Sequence, residues 1–565
     1  MKRWLTMTTL LAMTSSTACA AALPEQFDVW GKQAKPNSFL VDADHNGPGA
    51  IEVQAEDGEK QQGFVIFGKP CSVVVNGDYE PASTDRLSRL TAKDCPGEYG
   101  PMNLIVWALE KGAFTVSVSD LSNGTHTLGR ENLDVRCARM IVDKKGRVFP
   151  AQLEAFDKVS LAPNRFGQFW ITYYIPKGTP AGLYTGTVTI QGEKGAASIP
   201  VELEVYPFTL APSSRSLYIY GQQPTQEQDM DTVLRRYIDQ RCHGMNNALL
   251  TLPVSADGDM TAEQVRPWIA MYKKAGFDQP QVHVLLWNRI ISAWTSQDKS
   301  KDMACDWFLY YPFSRELDDR YVKTVRMIAG LMKAQDLELI ISVADEAGSH
   351  PWTTEATQHY LKLLKQQVPG VKRELTVGGG WAMGRSEHEL WKGLIHNWAT
   401  NRWFDDKIKQ VLKDDPKAEI EIYNMGGGGS GFGGLDASRA VYGYFLWKSK
   451  AAGVSQWVYW HPATQGSSYV WPAENGLPVP TLRWELVREG TKDLRYLEKL
   501  EAVLKAKNGP DAEVAKALLA EIDSTIELRH QDYDVIDGGR VPTPSAGTFD
   551  AWRQRAAQAI INLQK

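Results

Sequence analysis

Hydrophobic and polar residues alternate with a period of two along the first part of the chain, from about residue 23 to residue 211. β-branched and aromatic residues dominate the alternating segments, which include FWITYYIP, YTGTVTIQG and IPVELEVYPF. Turn residues such as Asn76-Gly77 and Asn123-Gly124 separate them. This pattern is typical of strands with one buried face, and no segment of helical period interrupts it. It predicts an antiparallel β-sandwich over residues 23–211.

The period changes after the Pro- and Ser-containing linker TLAPSSR at 209–215. From there, short apolar strands alternate with amphipathic helices such as MDTVLRRYIDQRCHG. Eight strands are predicted, at 216–221, 247–254, 281–288, 337–344, 373–380, 395–403, 419–425 and 454–461. Eight strand-helix units predict a (β/α)8 barrel over residues 212–508, with an open doubly wound sheet as the alternative. Residues 509–565 are predicted to form terminal helices.

The first 20 residues are typical of a secretory signal peptide. Lys2 and Arg3 precede a short apolar stretch, and Ala18-Cys19-Ala20 has the form of a cleavage site. We therefore expect an exported protein, periplasmic or extracellular, with Cys19 as a candidate lipid anchor. No later segment has the length of a membrane span.

Export permits disulfides, and five further cysteines follow Cys19. Cys71–Cys95 and Cys242–Cys305 are candidate pairs, and Cys137 is the fifth. The cysteine and histidine spacings do not match a zinc site.

The composition is that of a globular protein, with 43% hydrophobic and 23% charged residues. The formal net charge of −5 argues against a general nucleic-acid or acidic-membrane binder. Most of the 57 aromatic residues, 19 of them tryptophans, could simply be core, but many would also suit stacking on flat apolar ligand faces.

Two adjacent acids, Asp345 and Glu346, come directly after the fourth predicted strand in LELIISVADEAGSH. Catalytic groups of barrels stand at the carboxyl ends of strands, and an acid pair there suits glycoside hydrolysis. A consecutive pair fits best a substrate-assisted route, in which the 2-acetamido oxygen of the sugar attacks. The alternative is that Asp345 caps the following helix or that both acids are merely solvated.

Other predicted strand ends carry aromatic and amide side chains suited to sugar binding. Besides Tyr218 and Tyr220, they are His283, Trp287, Asn288, Trp381, Asn397, Trp398, Tyr423, Asn424, Trp460 and His461. For any single tryptophan among them, packing between barrel and helices is the alternative.

The run GGGGSGFGG at 426–434 contains G-x-G-x-x-G but follows the seventh strand. A dinucleotide site requires this motif in a first βαβ unit, followed by an acidic residue, so we expect an active-site loop instead. Because barrels often bind anions after strands seven and eight, a sulfated or phosphorylated sugar is an open alternative.

Several stretches, taken in order, resemble glycoside hydrolase family 123, the retaining β-N-acetylgalactosaminidases, and the wider set of proteins that share its catalytic domain. They are PKGTPAGLYTGTVTI, IPVELEVYPFTL, VADEAGSH, SRAVYGYFLWKSKAAGVSQWVYW and LRWELVREGTKDLRYLEKL. The resemblance implies that Asp345 orients and polarises the 2-acetamido group. It implies that Glu346 is the general acid and then the base around an oxazoline intermediate, with retention and without metal or cofactor.

The sequence therefore predicts an exported β-N-acetylgalactosaminidase that acts on a GalNAc-containing glycan. Two alternatives stay open: a glycosidase for another 2-acetamido sugar, and a surface glycan-binding protein without catalysis.

Overall fold

The computed structural model describes residues 24–31, 39–40, 52–142, 148–221, 229–253, 260–285, 314–344, 351–377, 387–400, 405–423, 435–461, 468–473, 475–528, 544 and 547–565. Asp345, Glu346, Cys19, Cys305 and the glycine run lie outside these residues.

The N-terminal half of the described chain forms two facing β-sheets. One sheet runs Phe39–Leu40, Val159–Leu161, Gly112–Val118, Gly182–Gln191, Ala196–Val205 and Leu90–Asp94, with Leu121–Ser122 and Thr127–Leu128 beside it. The other runs Phe64–Phe67, Tyr99–Ala108, Arg165–Tyr174, Leu133–Val142 and Val148–Glu154. Apolar side chains from both sheets, such as Leu104 and Val188, share one buried core. Alternating apolar residues therefore produce the predicted sandwich, because each strand has one face to bury.

Two features of this half differ from the expectation. Leu90–Asp94 pairs in parallel with Ala196–Val205, and Phe39–Leu40 pairs in parallel with Val159–Leu161, so the sandwich is not purely antiparallel. Two short helices, Glu25–Gly31 and Asp57–Gln62, lie within the range that was predicted to lack them. Both are too short to show a clear helical period in the sequence.

Eight parallel strands form the sheet of the C-terminal half, and we number them first to eighth in chain order. They are Ser216–Leu217, Leu249–Leu250, Gln281–Leu285, Glu338–Ser342, Lys372–Val377, Asn397–Thr400, Glu419–Tyr423 and Gly453–Ser455. Their spatial order is first, eighth, seventh, sixth, fifth, fourth, third and second. This is the strand order of a (β/α)8 barrel, as predicted, and not that of a doubly wound sheet.

The sheet curls, but its ladder does not close between the first and second strands. The side chain of Asn246 gives a physical reason for this gap. Its Oδ1 accepts the Leu217 N–H at 2.8 Å and so occupies a donor that a neighbouring strand would otherwise use. The Leu217 carbonyl in turn accepts the Asn246 N–H at 3.0 Å. The predicted barrel is therefore confirmed in strand number, direction and order, whereas a continuous closed ladder is not formed.

A helix follows each strand of the sheet. These helices are Met230–Cys242, Ala262–Ala275, Arg315–Lys333, Pro351–Gln367, Glu387–Trp391, Asp405–Asp414, Leu435–Ala440, which continues through a π-helical turn to Ser449, and Leu482–Leu504. A two-stranded sheet, Val470–Pro472 and Pro478–Pro480, precedes the last of them, and Pro510–Thr525 and Thr548–Gln564 end the chain. Among the helices that the structure describes, none combines the length and apolar character needed to cross a bilayer.

The Leu482–Leu504 helix joins the two halves. Trp170, on the outer face of the second sandwich sheet, packs against Leu482. Further along, the Lys492 ammonium bonds the Asp94 carboxylate at 2.5 Å, and Arg495 pairs with Glu98 at 2.7 Å. These charges are buried or nearly so, and opposite partners offset the free-energy cost of removing them from water.

The candidate disulfide Cys71–Cys95 is not formed. Cys95 Sγ instead lies 3.1 Å from the Tyr496 hydroxyl, and Cys71 Sγ accepts from Asn103 Nδ2 at 3.3 Å. Cys137 and Cys242 are also free thiols. Within the described residues, no two of these thiols lie within bonding distance, and the candidate pair Cys242–Cys305 stays a prediction because Cys305 lies outside them.

Candidate active site

The strands of the curled sheet direct polar side chains inward and apolar side chains outward. In the seventh strand, Ile420 and Ile422 belong to the large core shared with the surrounding helices, whereas Glu421 points the other way. Because side chains alternate along a strand, the sequence EIEIY places Glu419, Glu421 and Tyr423 on one inner face. The barrel interior is therefore unusually polar.

Four inner side chains come from alternate strands and form one buried layer. Tyr218 continues the first strand, and His283, Glu374 and Glu421 lie on the third, fifth and seventh strands. Alternate strands supply a layer in this way in (β/α)8 barrels, where branched apolar residues are the usual occupants.

Hydrogen bonds connect the members of this layer. The His283 Nδ1 lies 2.5 Å from Glu374 Oε2, and the imidazole stacks on the Tyr218 ring with centroids 4.0 Å apart. The Tyr218 hydroxyl lies 3.2 Å from Glu421 Oε2 and 3.4 Å from Glu374 Oε1, so that it bridges the two carboxylates.

From this layer, hydrogen bonds continue toward both ends of the strands. Asn397 Nδ2 donates to Glu421 Oε1 at 2.9 Å and to Glu419 Oε2 at 3.0 Å, and Glu419 pairs with the half-exposed Lys372. In the opposite direction, the Tyr220 hydroxyl donates to Glu374 Oε1 at 3.2 Å. Tyr220 lies at the carboxyl end of the strands, which we call the mouth.

Burial and neighbouring charges change the protonation of the layer. The pKa of Glu421 is raised to about 7, mainly because burial removes the carboxylate from water. The His283 charge lowers this pKa, and the Glu374 charge raises it. For His283, burial lowers the pKa, but the Glu374 carboxylate and its hydrogen bond more than offset this and leave the pKa raised. Near neutral pH, the layer can therefore hold an imidazolium, one carboxylate and one additional proton.

Ligand atoms of His283, Glu374 and Glu421 all lie within 4.8 Å of one another, a separation that a metal ion could bridge. However, each carboxylate oxygen already has a hydrogen-bond donor in Tyr218, Tyr220, His283 or Asn397. The 2.5 Å separation of Nδ1 and Oε2 is also that of a direct hydrogen bond. The donor set therefore fits a shared proton better than a cation.

Aromatic side chains surround the described part of the mouth. The Tyr220 and Tyr423 rings lie 5.1 Å apart, and Trp457 packs against the cluster that contains them. Trp457 and His461 have ring centroids 5.5 Å apart. Trp460, which packs against the core shared with the helices, lies 6.2 Å from Trp471, and these last four rings are all partly exposed.

The predicted site residues fall into separate places. His283 and Asn397 are buried inside the barrel, and Tyr423 lies just below the mouth. Trp398 faces outward, belongs to the core shared with the helices, and lies 6.1 Å from the His388 ring. Trp460 and His461 follow an eighth strand that ends at Ser455, earlier than predicted. Asp345, Glu346, Trp287, Asn288, Trp381 and Asn424 lie outside the described residues.

Sequence reasoning missed Glu374 and Glu421, together with Trp457 and Trp471. The signal for Glu421 was present, because acids at every second position of EIEIY must share one face of the strand. Glu374 stands alone in KRELTV and resembles an exposed strand residue. Only the curl of the sheet brings it beneath Tyr220.

Comparison with known proteins shows similarity in fold to solved structures but not in sequence to known families. The sequence matches no protein-family model, and no curated protein resembles it significantly. A family 123 glycoside hydrolase from Clostridium perfringens, described in connection with glycolipid glycan hydrolysis, has a similar structure with a TM-score of 0.62 and 13% identity. The match covers 89% of this chain and 98% of that chain.

Two β-glucuronidases are less similar. An FMN-binding enzyme from Facaelibacterium prausnitzii has a TM-score of 0.30 at 10% identity, covering 75% of this chain and 63% of that chain. The Parabacteroides merdae enzyme has a TM-score of 0.33 at 10% identity, with coverages of 72% and 54%. The first likeness extends over both halves of this chain and shows that its fold is similar to that of a glycoside hydrolase.

Proposed function

We propose that this chain is an exported, retaining glycoside hydrolase that releases β-linked N-acetylgalactosamine. The observation that carries the proposal is the position of the acid pair. The fourth of eight parallel strands is Glu338–Ser342, and Asp345-Glu346 follows the buried Val343 and Ala344 along the chain. Catalytic groups of (β/α)8 enzymes occupy this position. The likeness to a family 123 glycoside hydrolase supports the same assignment.

In the proposed reaction, Asp345 holds the 2-acetamido N–H and increases the nucleophilicity of the acetamido oxygen. That oxygen attacks the anomeric carbon while Glu346 donates its proton to the departing glycosidic oxygen, and an oxazoline forms that keeps its nitrogen-bound proton and pairs with the Asp345 carboxylate. Glu346, now a carboxylate, removes a proton from water as the water attacks the same carbon. The oxazoline opens, the acetamido group is restored, and the anomeric configuration is retained after two inversions.

The partly exposed aromatic rings at the mouth support a carbohydrate ligand. Trp457 presents a partly exposed apolar face, His461 supplies a polar group beside it, and Trp460 is a further predicted contact. The remaining predicted ligand contacts, from Trp287, Asn288, Trp381 and Asn424, belong to the same proposal. Export through residues 1–20, with Cys19 as a candidate lipid anchor, completes it.

Hydrolysis of aryl β-glycosides of GalNAc, GlcNAc, Gal and Glc tests the proposed specificity. We expect release from the GalNAc substrate alone, and tight inhibition by a GalNAc-thiazoline, because it resembles the cyclic intermediate. Release from GlcNAc instead would favour the alternative 2-acetamido sugar. Absence of hydrolysis with retained glycan binding would favour a binding protein.

The roles of the two acids are tested separately. Glu346→Gln should lose about a thousandfold or more in kcat on substrates with poor leaving groups, and much less on activated aryl glycosides, which need little protonation. Equal losses on both would contradict the acid role. Asp345→Asn should be impaired on every 2-acetamido substrate. In a route with a direct enzyme nucleophile instead, Glu474 is one candidate for that nucleophile. Glu474→Gln therefore serves as the control and should retain activity.

A further inference from the structure

The buried layer beneath the mouth connects directly to the residues that line it. Glu374 is 1% exposed and accepts hydrogen bonds at both carboxylate oxygens, from Tyr220 at Oε1 and from His283 at Oε2. Burying a carboxylate is costly unless partners compensate for lost hydration. These two donors, together with the Tyr218 hydroxyl 3.4 Å from Oε1, provide that compensation, and of the three groups Tyr220 is the one that lies at the mouth.

Tyr220 is itself held from three sides. Its hydroxyl is bound to Glu374, its backbone N–H donates to Gln456 O at 2.9 Å, and its carbonyl accepts from Tyr459 N at 2.8 Å. The last two contacts belong to the segment that carries Trp457. The Tyr220 ring then packs 5.1 Å from Tyr423, and Trp457 packs against the cluster that contains both rings. The position of the Tyr220 ring therefore influences the aromatic surface at the mouth.

We propose that Glu374 is a positioning residue for sugar binding: through the Tyr220 hydroxyl, it fixes the Tyr220–Tyr423 pair as the floor on which Trp457 rests. The inference deepens the proposed glycosidase function and rests on it. Glu374 acts through Tyr220 and does not itself touch the sugar, because it lies a full layer below the mouth.

A carboxylate is the group that this position requires. The tyrosine hydroxyl and the His283 N–H both point at Glu374 as donors, and a carboxylate accepts from both at once. An amide in its place has one acceptor oxygen and one donor nitrogen. When the Gln oxygen accepts from His283, its NH2 faces the Tyr220 hydroxyl, so Glu374→Gln replaces the charge-assisted hydrogen bond from Tyr220 by a weaker neutral one with almost no change in volume.

The kinetic test compares Tyr220→Phe, which keeps the ring and removes the hydroxyl, with Glu374→Gln. Each should raise KM for the aryl GalNAc substrate about tenfold and change kcat less, because both weaken sugar binding in the ground state and the transition state alike. Together they should still raise KM about tenfold, since both act on the same hydrogen bond between Tyr220 and residue 374. Additive, hundredfold effects would overturn the proposal.

Tyr444→Phe is the matched control. The Tyr444 side chain is also buried, and its hydroxyl donates to the Phe549 carbonyl at 3.1 Å, among the terminal helices. This variant should leave KM unchanged. If Tyr220→Phe and Glu374→Gln behave like the control, Glu374 has only a structural role and the proposal is overturned.

A readout independent of activity separates this inference from the proposed function. Backbone hydrogen exchange of residues 216–221 should accelerate in Glu374→Gln and in Tyr220→Phe, and should stay as in the wild type in Tyr444→Phe. If the wild type neither hydrolyses nor binds glycans while exchange accelerates in the two variants, the proposed glycosidase function is refuted and the link from Glu374 to Tyr220 is retained. Unchanged exchange would refute that link even in an active enzyme.

Discussion

Glu421 illustrates how a single residue takes its charge state from its surroundings. It faces His283 and Glu374 across the barrel and is hydrogen-bonded by Tyr218 and Asn397, the latter shared with the Glu419–Lys372 pair. Its pKa is about 7 in the folded protein, against an ordinary value of 4.5. Between these two values, the folded chain retains a proton that the unfolded chain has released. Stability therefore falls as the pH rises through this window.

The pH dependence of stability can be predicted for Glu421→Gln. Glutamine keeps the shape of the side chain and cannot ionise. The decrease in the free energy of unfolding that Glu421 causes in the wild type between pH 5 and pH 8 should therefore be absent from the variant. The free energy of unfolding of the wild type, relative to the variant, should fall by about 2–3 kcal/mol across this range. Urea unfolding at several pH values measures it.

Glu338→Gln is the control for this prediction, because Glu338 is an exposed residue at the start of the fourth strand. Its stability difference from the wild type should not vary over the same pH range. A pH-independent difference for Glu421→Gln as well would show that the buried carboxyl is already ionised at pH 5.

At the scale of elements, the Leu482–Leu504 helix forms the charged contacts between the two halves. The Lys492 ammonium contacts Asp94 Oδ2 at 2.5 Å, Tyr99 O at 2.7 Å and Glu489 Oε1 at 2.8 Å. Asp94 also accepts from the Tyr173 hydroxyl at 3.3 Å. Removing the cation would leave a carboxylate buried between a strand and a helix without its counter-charge.

Lys492→Met should therefore destabilise the protein by about 3–5 kcal/mol in urea unfolding, because the unpaired Asp94 remains buried. Adding Asp94→Asn should recover part of this loss by removing the unpaired charge. Lys516→Met is the control, since Lys516 pairs with Glu513 at 2.8 Å while both side chains are at least half exposed. Its effect should stay below about 1 kcal/mol. An equal effect of the two lysine variants would contradict the role of burial.

At the scale of the whole molecule, the N-terminal helix Glu25–Gly31 lies where sandwich and barrel meet. The Trp30 ring is fully buried, the Arg136 guanidinium of the sandwich lies 4.5 Å from it, and its Nε1 donates to Asp239 at 3.2 Å. Asp239 belongs to the helix after the first barrel strand and also accepts from Trp484 Nε1 at 2.9 Å. One short helix therefore bridges both halves.

Trp30→Ala should lower the thermal unfolding midpoint by about 5 °C or more. The change opens a cavity and leaves a buried carboxylate with one donor fewer, and large-to-small changes of this kind cost about 3–5 kcal/mol. Differential scanning calorimetry measures the midpoint. Trp268→Ala, at a partly exposed position on the outer helix Ala262–Ala275, should have a smaller effect. Equal shifts of the unfolding midpoint in both variants would show that Trp30 does not stabilise the contact between the halves.

Local patterns were sufficient to predict most elements of this protein, although not the short helices Glu25–Gly31 and Asp57–Gln62. Alternating residues predicted the sandwich strands, and strand-helix alternation predicted eight parallel strands, each of which is present at its expected place. These predictions succeed because the need to bury apolar side chains acts on residues close together in sequence. The acid pair Asp345-Glu346 was likewise recognised from its position after a strand, and its catalytic role stays a prediction.

Tertiary structure decided which side chains meet. Glu374 and Glu421 stand 47 positions apart by their numbers, and only the curl of the sheet places both within reach of the Tyr218 hydroxyl. The same curl buries His283 and Asn397 below the mouth, whereas pleating turns Trp398 outward. The sequence alone determined strands, helices and their order, because these depend on neighbours along the chain. The polar barrel interior, its hydrogen-bonded layer and the charged contact between the halves depend on distances that exist only after folding.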